Sequence, residues 1–146
     1  MAQADVGKSH RGGILVSRPA LNEERLASLL AFLGVTQLAL GASMAIAPGT
    51  FFNAIADYGT RNDHYLRDIS TFYLALGVLL LGAAKRPRWR VPILAFAALQ
   101  YALHSINHLI DIGNGDPGWI GPFNFLSLVL FTALLAYALR AAASTR

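Results

Sequence analysis

The chain has 146 residues, 55% of them hydrophobic and only 14% charged, with a net charge of +4; its mean hydropathy is +0.46 and its isoelectric point lies near 9.9. With charges confined to short stretches, that balance describes one domain dissolved in lipid rather than an average soluble domain. Cysteine is absent, which excludes disulfides, thiolate nucleophiles, zinc knuckles and cysteine-ligated clusters, and the basic residues flank apolar blocks instead of forming a soluble basic face, which excludes nucleic acid as a partner.

In chain order, residues 1–25 read as a cytoplasmic leader: Gly12, Gly13 and Pro19 interrupt regular structure, and Asn22 with Glu23 and Glu24 suits the capped start of a helix. The first span is 26–47, uncharged over about 22 residues, or roughly 33 Å of helix, enough to cross a hydrocarbon core. Its "AIA" before Pro48 resembles a signal-peptidase site, but the apolar block is too long for a signal sequence, and an uncleaved helix is expected. Small residues, Gly34 and Gly41 here and Gly77 and Gly82 further on, are expected at close helix contacts. Thr36 and Gln37 are expected to bond a neighbouring helix.

Residues 48–67 form a long connection in which Phe51, Phe52 and Ile55 of "TFFNAIADYG" suit either a short interfacial helix capping the bundle or aromatic anchors at headgroup level. The second span, 68–84, holds about 16 apolar residues, roughly 24 Å, so it needs help from its flanks. The basic "KRPRWR" (85–90) connects it to the third span, 91–110; "GNGDPGW" (113–119) reads as a tight turn before the fourth span, 119–139. The fold class predicted is all-α, an integral membrane four-helix transmembrane bundle over 26–140, with 141–146 as a cytoplasmic tail.

The distribution of Lys and Arg sets the direction. Lys8, Arg11, Arg18 and Arg25 precede span one, Lys85, Arg86, Arg88 and Arg90 fill the second connection, and Arg140 and Arg146 follow span four. Only Arg61 and Arg67 fall in the other two connections. The positive-inside bias places the protein in the cell (inner) membrane with both termini cytoplasmic. Acidic residues and His64 then gather at the outer mouth.

On the third span, Tyr101, His104, His108 and Asp111 are spaced three, four and three, which puts them on one helical stripe. Ionisable groups in a span turn toward the bundle interior and seek partners. Asp68 and Asn124 stand at the same level on helices two and four, and Asn107 lies beside the stripe. The predicted pocket is therefore Asp68, Tyr101, His104, Asn107, His108, Asp111 and Asn124.

Three chemistries suit that set. His104 and His108 at i and i+4 with Asp68 suit a divalent metal; a His–Asp pair suits proton exchange with a bound lipophilic molecule such as a quinone; and interhelical hydrogen bonds would make the set purely structural.

The stretches "RDISTFYLALGVLLLGAAKRP" (67–87) and "HSINHLID" (104–111) resemble the small bacterial four-helix membrane proteins of the DoxX-like group. The resemblance covers roughly 26–140. It implies a four-helix membrane fold and, from those members associated with quinone-linked sulfur or thiol oxidation, a redox-linked role; without cysteine, no thiol relay runs within this chain. The expected function is a pocket for a small lipophilic molecule or a metal in a redox-associated role. The alternatives are a structural or accessory subunit of a membrane complex and an oligomeric transporter or channel component. Expected partners are the bilayer, a lipophilic ligand, and further copies or complex subunits.

Overall fold

The computed structural model describes residues 22–144. Residues 1–21 and 145–146, including Lys8, Arg11, Arg18 and Arg146 of the charge pattern, lie outside the described residues. Four long helices carry the chain: α1 Glu23–Ile46, α3 Asp63–Lys85, α4 Pro87–Ile110 and α5 Ile120–Ser144; a short α2, Pro48–Phe51, runs into a π-helical turn, Phe52–Ala56. All four long helices are long and apolar enough to cross a membrane.

Caps explain where they start. The Asn22 carboxamide oxygen accepts from the Arg25 backbone N–H at 2.8 Å, satisfying one of the orphan donors of α1. Asn62 does the same for Tyr65 at 3.0 Å, so α3 begins at Asp63, ahead of the expected boundary at Asp68. That cap removes the shortness of the second span: 23 residues give roughly 34 Å of helix. Likewise α4 begins at Pro87, whose missing N–H is harmless at a helix start; Arg88 and Arg90, expected in the connection, are helical. Ala141 and Ala142, assigned by sequence to a tail, continue α5 and are buried.

Two tight pairs make the bundle: α1 packs along α3, α4 packs along α5, and α1 and α5 touch sparingly. The first pair closes on glycine. A Cβ added at Gly77 would stand 2.9 Å from the Gly34 carbonyl oxygen, and one at Gly34 would stand 3.0 Å from the Gly77 oxygen, so the backbones approach as only small residues permit.

The two ends of the bundle differ. Near the Lys85–Arg90 end, Leu30 and Leu33 of α1, Leu80 of α3, Leu94 of α4 and Leu135 and Ala138 of α5 are fully buried in one cluster, packed as an interior should be. Arg90 seals this end: it is 5% exposed, pairs with Glu23, and donates to the carbonyls of Ala83 (3.3 Å) and Ala84 (3.5 Å) in the last turn of α3. Toward the α2 end the core gives way to a cavity.

Candidate ligand-binding cavity

The cavity measures about 470 Å³ and its walls are mainly apolar, with Leu40, Met44, Ile69, Leu128 and Phe131 among them. This volume lies in the range of small-molecule sites. The polar groups on the wall come from every long helix: Thr36, Tyr73, Tyr101, His104, His108 and Asn124.

At its inner end the Tyr101 hydroxyl donates to the Gln37 carboxamide oxygen at 2.8 Å and also pairs with the Tyr73 hydroxyl. Gln37 is fully buried, and its amide nitrogen has no hydrogen-bond partner among the described residues. Gln37 therefore bonds across helices as its sequence position suggests. Thr36 does not: its hydroxyl returns to the Phe32 carbonyl of its own helix at 3.0 Å.

One turn further along α4 comes His104, half-buried on the cavity wall, and one turn beyond that His108. The two imidazoles meet edge to face with centroids 4.8 Å apart. His108 Nδ1 shares a hydrogen bond of 3.1 Å with the Tyr58 hydroxyl and packs edge-on against its ring. His104 makes no hydrogen bond among the described residues; its ring contact is with His108.

A strap formed by α2, the π turn and Tyr58 closes the α2 end. Phe51 and Ile55 line the cavity, and Phe52 does not. Asn124 Nδ2 donates to the Ile55 carbonyl at 2.7 Å and to the Tyr58 hydroxyl at 3.2 Å. The Asp116 N–H donates to the Asp57 carbonyl at 3.0 Å, tying the strap to the α4–α5 turn.

Of the residues predicted for the pocket, Tyr101, His104, His108 and Asn124 are brought together. Asp68, Asn107 and Asp111 are not. Asp68 stands about 200° around α3 from both Leu66 and Ser70, the buried residues on either side of it; its carboxylate is 65% exposed and faces His64 one turn back, at 3.4 Å. Asp111 ends α4 and accepts from the Asn114 side chain at 3.0 Å. Asn107 lies on an exposed face of α4. The metal set of Asp68, His104 and His108 is thus not assembled, and among the described residues no group of three or more His, Asp or Glu is placed to hold an ion. Tyr58 and Tyr73 are cavity residues that the sequence reading missed. Tyr73 has a visible signal, its place on the Leu66, Ser70, Tyr73, Leu80 stripe; Tyr58 has none, since a residue in a connection has no periodicity to read.

A family model described as a domain of unknown function, DUF4345, matches residues 26–139. The chain belongs to this family. The matched DUF4345 region takes in every cavity residue named above and stops short of the last turn of α5. No curated protein and no solved structure matches the chain.

In this DUF4345 domain the Tyr58 hydroxyl makes two of the four hydrogen bonds described above that tie down the strap. Tyr58→Phe removes both its bond to His108 and its bond to Asn124, at about 1 kcal/mol each, while keeping the ring contact. Amide exchange across residues 51–58 is expected to rise about tenfold or more, with α1 and α3 unchanged; unchanged exchange in the strap would show that the hydroxyl does not hold it.

Proposed function

We propose that this cavity binds a small lipophilic molecule with a hydrogen-bonding head group, a quinone-like ring above all, in a redox-associated role. The observation that carries this reading is His104: a polar ring with no hydrogen-bond partner, on the wall of an apolar cavity. His104 is part-buried, and a polar group partly withdrawn from water is stabilised when it is bonded, which a ligand carbonyl or hydroxyl would do. The neighbouring Tyr101 and Tyr73 hydroxyls give the same head group further partners, while Leu40, Leu128 and Phe131 suit its alkyl part. The resemblance of 67–87 and 104–111 to DoxX-like proteins, some associated with quinone-linked oxidation, points the same way. The divalent-metal alternative has two imidazoles to offer, with the Asp111 carboxylate near His108 alone and Asp68 turned away.

The test uses decylubiquinone and the purified protein in lipid nanodiscs. Wild type is expected to bind it, and His104→Leu to weaken binding about tenfold, the equivalent of one hydrogen bond of about 1.4 kcal/mol. Binding unaffected by His104→Leu and by a cavity-filling Leu128→Trp would reject the site; no binding at all would favour the accessory-subunit reading.

The orientation proposed is that of the charge pattern: the protein lies in the inner membrane with the Lys85–Arg90 end and both termini cytoplasmic, and the strap outside. Because the chain contains no cysteine, single-cysteine labelling is clean. An impermeant maleimide should label Asn114→Cys in intact cells and Arg88→Cys only after lysis; the reverse pattern would invert the topology.

A further inference from the structure

We infer that the ligand reaches the cavity sideways from the bilayer, through the gap between α1 and α5, and that it is therefore a membrane-dissolved amphiphile rather than a water-borne solute. This inference rests on the cavity being a binding site, as proposed above, and adds its route and the class of molecule that route admits.

The strap is stitched across the α2 end of the cavity at several points, although Tyr65, in the first turn of α3, both lines the cavity and is 60% exposed. Asn124 binds Ile55 and Tyr58, His108 binds Tyr58, and the Asp57 carbonyl accepts from Asp116, so α4, α5 and the turn between them all hold the strap. The other end is solid with buried leucines. The side between α1 and α5 is different. These two helices touch sparingly, and two α5 residues that line the cavity, Phe123 and Ser127, are exposed as well, Phe123 at 52%. A residue that faces both a cavity and the outside marks an opening.

Helical geometry fixes where that opening looks. Thr132 faces α4, since its hydroxyl pairs with that of Ser105 at 3.3 Å. Phe123 lies about 180° and Ser127 about 140° around α5 from Thr132, on the flank away from α4. Across the gap stand Thr36 and Leu40 of α1, both cavity-lining and part-exposed. Ser127 is seven residues into α5, roughly 10 Å along the helix. In a helix that crosses a bilayer, that depth is hydrocarbon. The rim thus faces acyl chains, and a molecule passing it must already be dissolved among them. A polar head enters toward His104, Tyr101 and Tyr73 while an alkyl tail can remain in the gap.

The experiment measures the rate at which decylubiquinone carrying a diazirine in its tail, added with vesicles to the full chain in proteoliposomes, becomes photo-crosslinked inside the cavity. Two manipulations separate the routes. Asp57→Cys with Asp116→Cys allows a disulfide to lock the strap to the α4–α5 turn, with no native cysteine to interfere. Ser127→Trp narrows the gap from an exposed position where the fold tolerates bulk, and Leu40→Trp narrows it from α1.

Lateral entry predicts a rate unchanged within about twofold by the oxidised lock, and lowered about tenfold by either tryptophan. If the disulfide fails to form, a short bis-maleimide bridging the same two cysteines provides the same comparison, since both lie outside the cavity wall. A rate that falls on locking or ignores both tryptophans overturns the lateral route while the site stands. Absence of cavity labelling in the unmodified protein overturns the site and the route together.

Discussion

Gly77→Val is expected to lower the stability of the bundle by about 3 kcal/mol or more, the upper end of what overpacking costs, and to leave little folded protein in mild detergent. A Cβ at this position would stand 2.7 Å from Leu38 Cγ and 2.9 Å from the Gly34 carbonyl oxygen. The leucine can change rotamer. The carbonyl belongs to the backbone of α1 and cannot move without separating the helix pair, which is the most extensive helix–helix contact in the fold. Gly77→Ala should show the same defect at about 1 to 3 kcal/mol. Gly118→Ala supplies the control: nothing lies within 4 Å of its added carbon, so its thermal midpoint should match wild type. A Gly77→Val protein as stable as wild type would mean that the α1–α3 pair does not close through Gly34 and Gly77.

Arg90→Ala is the second large effect, expected at about 2 to 3 kcal/mol. The guanidinium is 5% exposed and carries three interactions, the Glu23 pair and the two α3 carbonyls. Removing one side of a fully buried pair costs about 3 to 5 kcal/mol; here Glu23 is 60% exposed and water can take over its carboxylate, so the ion-pair share shrinks. What remains is the loss of the α3 cap and a cavity where the side chain was. Glu23→Gln should therefore cost under about 1 kcal/mol, and the comparison separates capping from charge. Equal losses in the two variants, read as thermal midpoints, would assign the effect to the ion pair instead. The same result bears on topology: Arg90 was expected to act only as part of a cytoplasmic basic stretch, and the fold uses it as a structural plug.

Helix number and order were legible in the sequence because long uncharged blocks admit one reading. Boundaries were less so. Asn62 as the cap of α3 was hidden among polar neighbours in "TRNDHY", and hydropathy alone trims a helix to its apolar residues, so Asp63–Arg67 and Pro87–Arg90 were left outside the spans. Half of the candidate site was legible for a related reason. The Tyr101, His104, His108 stripe lies on one helix, where spacing fixes direction. Asp68 was joined to it by depth alone, and depth says nothing about which way a side chain faces; the buried stripe through Leu66, Ser70 and Tyr73 turns Asp68 outward. Tertiary contacts of backbone were out of reach altogether. Gly121 is an example: it lies against the Ile112 carbonyl with no room for a Cβ, closing the α4–α5 turn, yet in sequence it is one glycine among thirteen.

The division of the bundle into a packed end and a hollow end links these points. Leucines fill the half near Arg90, and the half under the strap is lined by mainly apolar side chains, with a few polar ones among them, that leave space between the helix pairs. A rigid base and a sparsely filled mouth are what a binding site needs: the base fixes helix positions, while the mouth retains the room that a ligand would fill.

Mapping where a diazirine-tailed decylubiquinone attaches to the protein in lipid vesicles tests the binding site most directly. Occupancy of the cavity predicts crosslinks confined to lining residues such as Leu40, Ile55, Ile69, His104, Leu128 and Phe131, suppressed by excess unlabelled decylubiquinone and lost in Leu128→Trp. Crosslinks spread over outward-facing residues such as Val78, Phe96 and Leu130, without competition, would contradict it.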